Sequence, residues 1–357
     1  MDINSMYISE LTEYANQQGW PKFRAKQLYE WLNKKHVTST DMMVNIPKNI
    51  REALDKDMCH VNYAAHQTSR EDGTRKFLFE MDDGQMIETV FMKYHHGNSI
   101  CISSQAGCAM GCKFCASTIG GCIRDLTAGE MLGQVYSAMN AVMKEVQTEQ
   151  HMDEKAAEKE AIVSNIVVMG TGEPLQNYDN LIRFIKIITD ENSFNLSIRN
   201  ITVSSCGIVP NIKRLADEGM GITFALSLHA PTDEKRKELM PIANKYSIQE
   251  TLEATDYYFK KTGRRITIEY SLMNGINDSE TDAELLGRLL KGRGYHVNLI
   301  PVNPIDERDF KKSSKTNILQ FQKILEKYGI NVTIRRGMGR DIDAACGQLR
   351  RKYGVIK

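Results

Sequence analysis

The sequence predicts an α/β fold in which parallel strands alternate with helices and close, wholly or in part, into a barrel. Three observations predict it. From about residue 99 onward, short β-branched runs alternate with segments of helical period, roughly six times over. The 357 residues suffice for about two domains of roughly 150 residues each. Apolar residues make up 41% and charged residues 25%, an ordinary globular balance.

The elements follow in order. Residues 1–60 read as a helical accessory domain. "FRAKQLYEWLNKK" sets Phe23, Leu28, Trp31 and Leu32 near helical spacing, and "IPKNIREAL" gives a second short helix with Pro47 at its start. Residues 61–97 form a short β extension, with hairpin signals at Asp72-Gly73 and Asp83-Gly84. Residues 98–357 carry the alternating core. "SICISS" is its first strand. The helix after it opens on a Thr127-x-x-Glu130 capping box and repeats Met131, Val135 and Met139. The charged stretch 145–160 extends this helix or forms a surface loop. "NIVVMG", "ITVSS", "ITFALSLH", "RITIEYSLM", "YHVNLIPV" and "NVTIRR" read as strands, with helices between them and a long polar loop after His229. Parallel strands imply right-handed crossovers. The active site of such a barrel lies at the C-terminal ends of its strands.

No apolar run approaches the ~18 residues of a membrane span, and the N-terminus lacks a signal peptide's basic-then-apolar layout. The chain therefore reads as cytoplasmic, with reduced thiols. The net charge of +1 neither favours nor excludes a nucleic-acid partner. Four local basic clusters are more suggestive: "PKFRAK", "KKTGRR", "FKKSSK" and the C-terminal arginines Arg335, Arg336, Arg340, Arg350 and Arg351 with Lys352. Each alone reads first as a solvated face; together they are candidates for phosphate contacts if they converge.

Cysteine placement is uneven. Of eight cysteines, Cys101, Cys108, Cys112 and Cys115 fall within fifteen positions. In a reducing compartment such clustering points to metal or catalysis rather than disulfides. Cys108, Cys112 and Cys115 make C-x3-C-x2-C just after the first core strand. Three thiolates leave one iron of a four-iron cubane open. A closed zinc site needs a fourth ligand, for which Cys122 is available, but no second knuckle follows. "MGTGEP" (169–174) follows a strand, and its glycines let backbone approach a ligand, although an ordinary strand-to-helix turn accounts for it equally. His229 and Cys346, taken singly, read as a packed histidine and a small buried residue.

Several motifs arrive in order along nearly the whole chain: "CISSQAGCAMGCKFCAS", "MGTGEPLQNYDNL", "TVSSCGIVP", "SLHAPTDEKRKELMPI", "NLIPVNP" and "GRDIDAACGQL", preceded by "FRAKQLYEWL" and "ETVFMK". Together they resemble the RlmN-type adenosine C2-methyltransferases of the radical S-adenosylmethionine (SAM) superfamily. The resemblance implies a partial (β/α)6 TIM-like barrel with a small N-terminal helical RNA-binding domain. It implies a [4Fe-4S] cluster on Cys108, Cys112 and Cys115, and two SAM molecules per turnover. Gly172, Glu173, Ser204, Ser227, Leu228, His229 and Asn303 match the family's SAM contacts.

The resemblance also assigns the outlying cysteines. One SAM methylates Cys346 by polar displacement. A second yields a 5′-deoxyadenosyl radical that takes a hydrogen from the S-methyl group, and the carbon adds to the adenine. Cys101 then resolves the adduct through a Cys101–Cys346 disulfide, and either Cys101 or Glu88 accepts the substrate proton. The implied substrates are one adenosine of 23S rRNA near the peptidyl transferase centre and the tRNA adenosine just 3′ of the anticodon. The implied partners include a flavodoxin- or thioredoxin-like reducing system for the cluster and the disulfide. Cys59, Cys122 and Cys206 receive no catalytic role. Two rival readings stand beside this one: the C8-methylating antibiotic-resistance branch, and a non-catalytic zinc-bearing RNA-binding protein.

Overall fold

The computed structural model describes residues 2–305, 307–342, 347, 349–350 and 353. Helices α1 (Ile8–Gln17), α2 (Phe23–Asn33) and α3 (Lys48–Asp55) come first. Strands β1 (Val61–Thr68), β2 (Arg75–Met81), β3 (Met86–Tyr94) and β4 (Gly97–Ile102) follow as an antiparallel meander. A ribbon of β5 (Gln105–Gly107) and β6 (Cys122–Asp125) brackets the cysteine loop. Then come α4 (Ala128–Glu149), α5 (Glu154–Ala161), β7 (Val163–Val168), α6 (Tyr178–Ile188), β8 (Ile201–Ser205), α7 (Val209–Asp217) and β9 (Thr223–Ser227). The chain continues with α8 (Asp233–Leu239), α9 (Ile248–Thr262), β10 (Ile266–Leu272), α10 (Glu280–Leu290), β11 (His296–Pro301), α11 (Lys315–Lys327) and β12 (Asn331–Ile334).

One ten-stranded sheet runs β1-β2-β3-β4-β7-β8-β9-β10-β11-β12. From β4 to β12 every pairing is parallel. Six strand–helix units thus lead to a closing strand β12. Among the described residues β12 does not pair with β1, so the barrel is partial. The β extension is continuous with the core sheet through the β3–β4 pairing rather than a sheet of its own. No helix among the described residues is long and apolar enough to cross a membrane.

Local chemistry explains the elements. Thr127 Oγ1 accepts from Glu130 N at 3.1 Å and Glu130 Oε2 accepts from Thr127 N at 2.8 Å, so the capping box forms. Met131, Val135 and Met139 are buried on the face of α4 that meets the sheet. The main core lies between the sheet's outer face and the helices, while Leu11, Leu28, Leu32, Ile50 and Leu54 build a separate N-terminal core. The N-terminal segment rests on α4 and α6: Ser5 Oγ accepts from Gly129 N at 2.7 Å, and Asn140 Nδ2 donates to the carbonyl of His36 at 3.0 Å.

Four expectations change. The polar loop after His229 contains α8, and the charged stretch 145–160 divides between α4 and α5. Phe23, set near helical spacing with Leu28, Trp31 and Leu32, lies off their buried face: it is 56% exposed, with the Arg24 guanidinium over its ring at 4.9 Å. The basic clusters do not all converge: "KKTGRR" precedes β10, at the N-terminal ends of the parallel strands. "FKKSSK" follows β11 and Arg335 and Arg336 follow β12, at the C-terminal ends.

Candidate active site

Side chains alternate across a strand, and paired residues share a face. Ile100, Ile102, Ile166, Val168, Val203, Phe224, Leu226, Ile268, Leu299 and Ile334 belong to the core under the helices. The residues between them face inward, and most are polar: Ser99, Cys101, Ser204, Ser227, Glu269, Ser271 and Asn298. The same alternation carries into the meander. Lys76 pairs with Val90, Leu78 with Glu88, and Val90 with Cys101. Lys76, Glu88 and Cys101 therefore lie on the inward face together. Ser204 Oγ and Ser227 Oγ stand 3.3 Å apart on neighbouring strands. Glu269, buried on β10, accepts from Asn298 Nδ2 at 2.9 Å; burial raises its carboxyl pKa, with Arg335 and Asn298 opposing. The lumen is a polar surface enclosed by an apolar shell.

Cys108, Cys112 and Cys115 lie on the loop between β5 and β6. Cys108 N donates to Gly121 O at 2.9 Å, Cys115 N to Cys112 O at 3.1 Å, and Thr118 Oγ1 to the carbonyls of Cys112 and Cys115 at 3.1 and 2.9 Å. Burial pushes the Cys108 thiol up to about 12 and raises that of Cys112, each helped by the neighbouring thiols. Iron binding must therefore displace their protons. Among the described residues no three His, Cys, Asp or Glu side chains converge on a single ion. A cubane asks less, because each thiolate ligates a separate iron. Cys122 lies opposite Gly107 on β6.

The "MGTGEP" turn locks onto the strand leading to the cysteines. Thr171 O accepts from Ser104 N at 2.9 Å and from Gln105 N at 3.1 Å, and Glu173 N donates to Gln105 Oε1 at 2.8 Å. Gly172 has φ +112°, and a Cβ there would lie 2.7 Å from Ser104 Oγ. That hydroxyl is buried and unpartnered among the described residues. Glu173 is buried, accepting from Leu175 N at 3.0 Å and Cys206 N at 2.8 Å; burial raises its pKa while these bonds pull it down. A buried carboxylate beside a free hydroxyl and a bare backbone suits the ammonium end of an amino acid, so these residues fit SAM.

His229 has φ +57° and is buried. Its Nδ1 accepts from Ser271 N at 2.9 Å, which places the ring proton on Nε2. Burial, reinforced by Arg236, lowers its pKa to about 3. Its ring meets Phe114, one residue before Cys115, edge to face at 4.8 Å. The side chain of Leu228 points into the helix-side core, and its backbone N donates to Glu269 O at 3.1 Å. Asn303 is exposed just beyond β11.

Cys101 packs with Val90, Met92, Val167, Met169 and Met338. Burial raises its thiol pKa, while Arg335 and Lys76 oppose that and Glu88 adds to it. Glu88 pairs with Lys76 at 3.0 Å. Its carboxylate also accepts from Gly347 N and, at 2.7 Å, from Arg350 N. Cys346 lies outside the described residues. The structure thus joins Cys101, Glu88 and the described residues following Cys346, of which Gly347 lies against Ala116 beside Cys115, and it joins the cysteine loop to His229 through Phe114.

Residues 102–286 match the model of the radical SAM superfamily, and residues 1–59 match the ribosomal RNA large subunit methyltransferase N-terminal domain. A probable dual-specificity RNA methyltransferase RlmN from Lachnoclostridium phytofermentans is 52% identical over 355 residues, covering 99% of this chain and 95% of the relative. Its counterpart from Lachnospira eligens is 53% identical over 354 residues, with 99% and 96% covered. The chain belongs to the RlmN family of radical SAM RNA methyltransferases. The crystal structure of a radical SAM methyltransferase from Sphaerobacter thermophilus superposes on this RlmN-family fold with a TM-score of 0.89 at 40% identity, covering 98% of each chain. Membership implies an RNA substrate, SAM and a [4Fe-4S] cluster.

Sequence reasoning missed two buried cations of this RlmN-family site. Arg236 on α8 is fully buried and donates to the carbonyls of Cys206 at 2.6 Å and Leu228 at 3.2 Å, tying the ends of β8 and β9 together. Its place in "DEKRKEL" reads as a solvated charge run, though Arg236 and Leu239 stand at helical spacing. Lys76 shares its face with Leu78 in "RKFLFEM", which was the available signal for an inward lysine.

Proposed function

We propose that this enzyme methylates C2 of an adenosine in 23S rRNA, and of the adenosine just 3′ of the anticodon in tRNA, through a methyl group carried on Cys346. The observation that carries the reading is the meeting of Cys101 and Glu88 on one inward face with the backbone that follows Cys346. The relatives' name, probable dual-specificity RNA methyltransferase, supports two RNA substrates.

Cys108, Cys112 and Cys115 would hold the cluster, which when bound supplies the electron that splits SAM. Gly172, Glu173 and Ser204 orient the cosubstrate, with Ser227, His229, Asn303 and the backbone of Leu228 closing its other side. The apolar shell around the polar lumen keeps bulk water from the reacting carbon. Cys346 takes a methyl group by polar displacement and delivers its carbon to the adenine. The adduct gives up its unpaired electron, which the oxidised cluster would accept; the Cys101 thiolate then attacks the Cys346 sulfur, a sulfur–sulfur bond forms, and the base-borne carbon keeps the carbon–sulfur pair and takes a proton to complete the methyl group. Glu88 or Cys101 accepts the proton from the base carbon. A cytosolic dithiol restores both thiols. The target base must leave its stack to reach this lumen. Exposed Phe23 with Arg24, and the cations after β11 and β12, are suited to stacking and phosphate contacts.

The test is a Cys101→Ala protein made in cells. It is expected to accumulate RNA covalently attached at Cys346, seen by mass spectrometry of the nuclease- and protease-treated enzyme. Only unmodified or S-methylated Cys346 in that variant would remove Cys101 from the resolving role.

A further inference from the structure

The chain segment on either side of Cys346 is fastened to the antiparallel extension by carboxylates. Asp341 accepts from Ser69 Oγ and from Arg70 N at 2.8 Å, both in the β1–β2 turn. Asp72, in the same turn, accepts from Gly339 N at 2.9 Å. Glu88 accepts from Gly347 N on one oxygen and Arg350 N on the other. Gly347 has φ +80°, and a Cβ there would lie 2.9 Å from Ala116 Cβ and 3.3 Å from Ser117 N. The residue after Cys346 is thus pressed against the segment that follows Cys115.

Both Glu88 oxygens are therefore occupied, and Lys76, fully buried, neutralises the carboxylate at 3.0 Å. A buried ion pair contributes little to stability that an apolar pair would not. This one stands instead on the inward face beside Cys101. We propose that Glu88, bridged to Lys76, is the seat of the backbone at Gly347 and Arg350 that follows Cys346, and that Lys76, acting through Glu88, is a positioning residue for that segment. Glu88 holds these two amides through both of its carboxylate oxygens. The turn between β1 and β2 gives the same loop a second anchor through Asp341 and Asp72. The proposal rests on Cys346 being the methyl carrier.

The test uses the anaerobically purified holoenzyme as wild type, Lys76→Met, Glu88→Gln, Glu88→Asp and Asp341→Asn. Amide hydrogen exchange of the peptide spanning 347–350, S-methylation of Cys346 and iron content are measured together. Lys76→Met and Glu88→Gln are expected to speed exchange of this peptide at least about tenfold, equivalent to about 1.4 kcal/mol for one charge-assisted hydrogen bond. They should lower Cys346 methylation by a similar factor with iron content kept. Asp341→Asn, at an exposed position, should speed the same exchange about threefold through the second anchor, and Glu88→Asp, which keeps the charge but shortens the side chain by one methylene, decides the seat if either buried variant fails to fold. Wild-type exchange and methylation in the folded variants would overturn the seat. Absence of S-methyl-Cys346 in the wild type would instead overturn the carrier reading, and the exchange comparison would still decide the seat.

Discussion

Gly172→Ala is expected to weaken SAM binding more than its size suggests. At φ +112° the backbone lies beyond the left-handed helical region near +57°, in territory glycine alone occupies readily. An alanine there carries about 1–3 kcal/mol of backbone strain. Its Cβ would also stand 2.7 Å from Gln105 Cβ and Ser104 Oγ and 2.8 Å from Gln105 N. Neither neighbour can yield cheaply, since both backbone amides donate to Thr171 and Gln105 Oε1 accepts from Glu173 N. Overpacking of this kind costs about 1–3 kcal/mol more. The cheapest relief shifts residues 171–173 and with them Glu173. Gly19→Ala is the control: φ is +71° but nothing lies within 4 Å, so only about 1–2 kcal/mol of strain applies. Calorimetric titration with SAM, alongside thermal melting under anaerobic conditions, is expected to show Gly172→Ala binding at least about tenfold more weakly and Gly19→Ala binding normally. Wild-type affinity and melting in Gly172→Ala would refute the reasoning.

Two further outcomes follow from the site. His229 is lowered to about 3 in the fold against 6.5 unfolded, so the unfolded chain binds the proton first and stability falls as pH drops from about 6.5 toward 3. At pH 5 this amounts to about 2 kcal/mol. His229→Asn keeps an acceptor for Ser271 N and tolerates the positive φ, so its unfolding midpoint should change less between pH 7 and 5 than that of wild type; equal slopes would refute the assignment. Anaerobically purified enzyme should contain about four irons and four acid-labile sulfides per chain, and Cys112→Ala should lose them; stoichiometric zinc without iron would favour the binding-protein reading.

The strand–helix alternation was legible because each core strand is short, β-branched and followed by a helical period, and because Asp83-Gly84 could only be a turn, where Gly84 takes φ +77°. Family membership was legible through motif order. What was hidden depends on partners distant in sequence. Glu88 meets Gly347 across 259 positions, and no local pattern in "IETVFMK" marks it as a seat for the C-terminal loop. Arg236 looks like any lysine-flanked surface charge until β8 and β9 present their terminal carbonyls to it. Lys76 is assigned by alternation to Leu78's face, but only the barrel shows that this face is the lumen. Phe23 stands five residues before Leu28, about 140° away around a helix, so it falls off the buried stripe of Leu28 and Leu32 and points outward.

Isotope transfer into RNA tests the central claim most directly. The holoenzyme is given SAM deuterated in its methyl group, a reductant and a 23S rRNA fragment carrying the target loop, after its own Cys346 methyl has been turned over. Nucleosides from the product are separated and weighed. A methyl carried on Cys346 loses one hydrogen before its carbon reaches the base, so 2-methyladenosine should carry two deuteriums in the new methyl group. A methyl arriving with all three deuteriums, or attached at C8, would contradict the account.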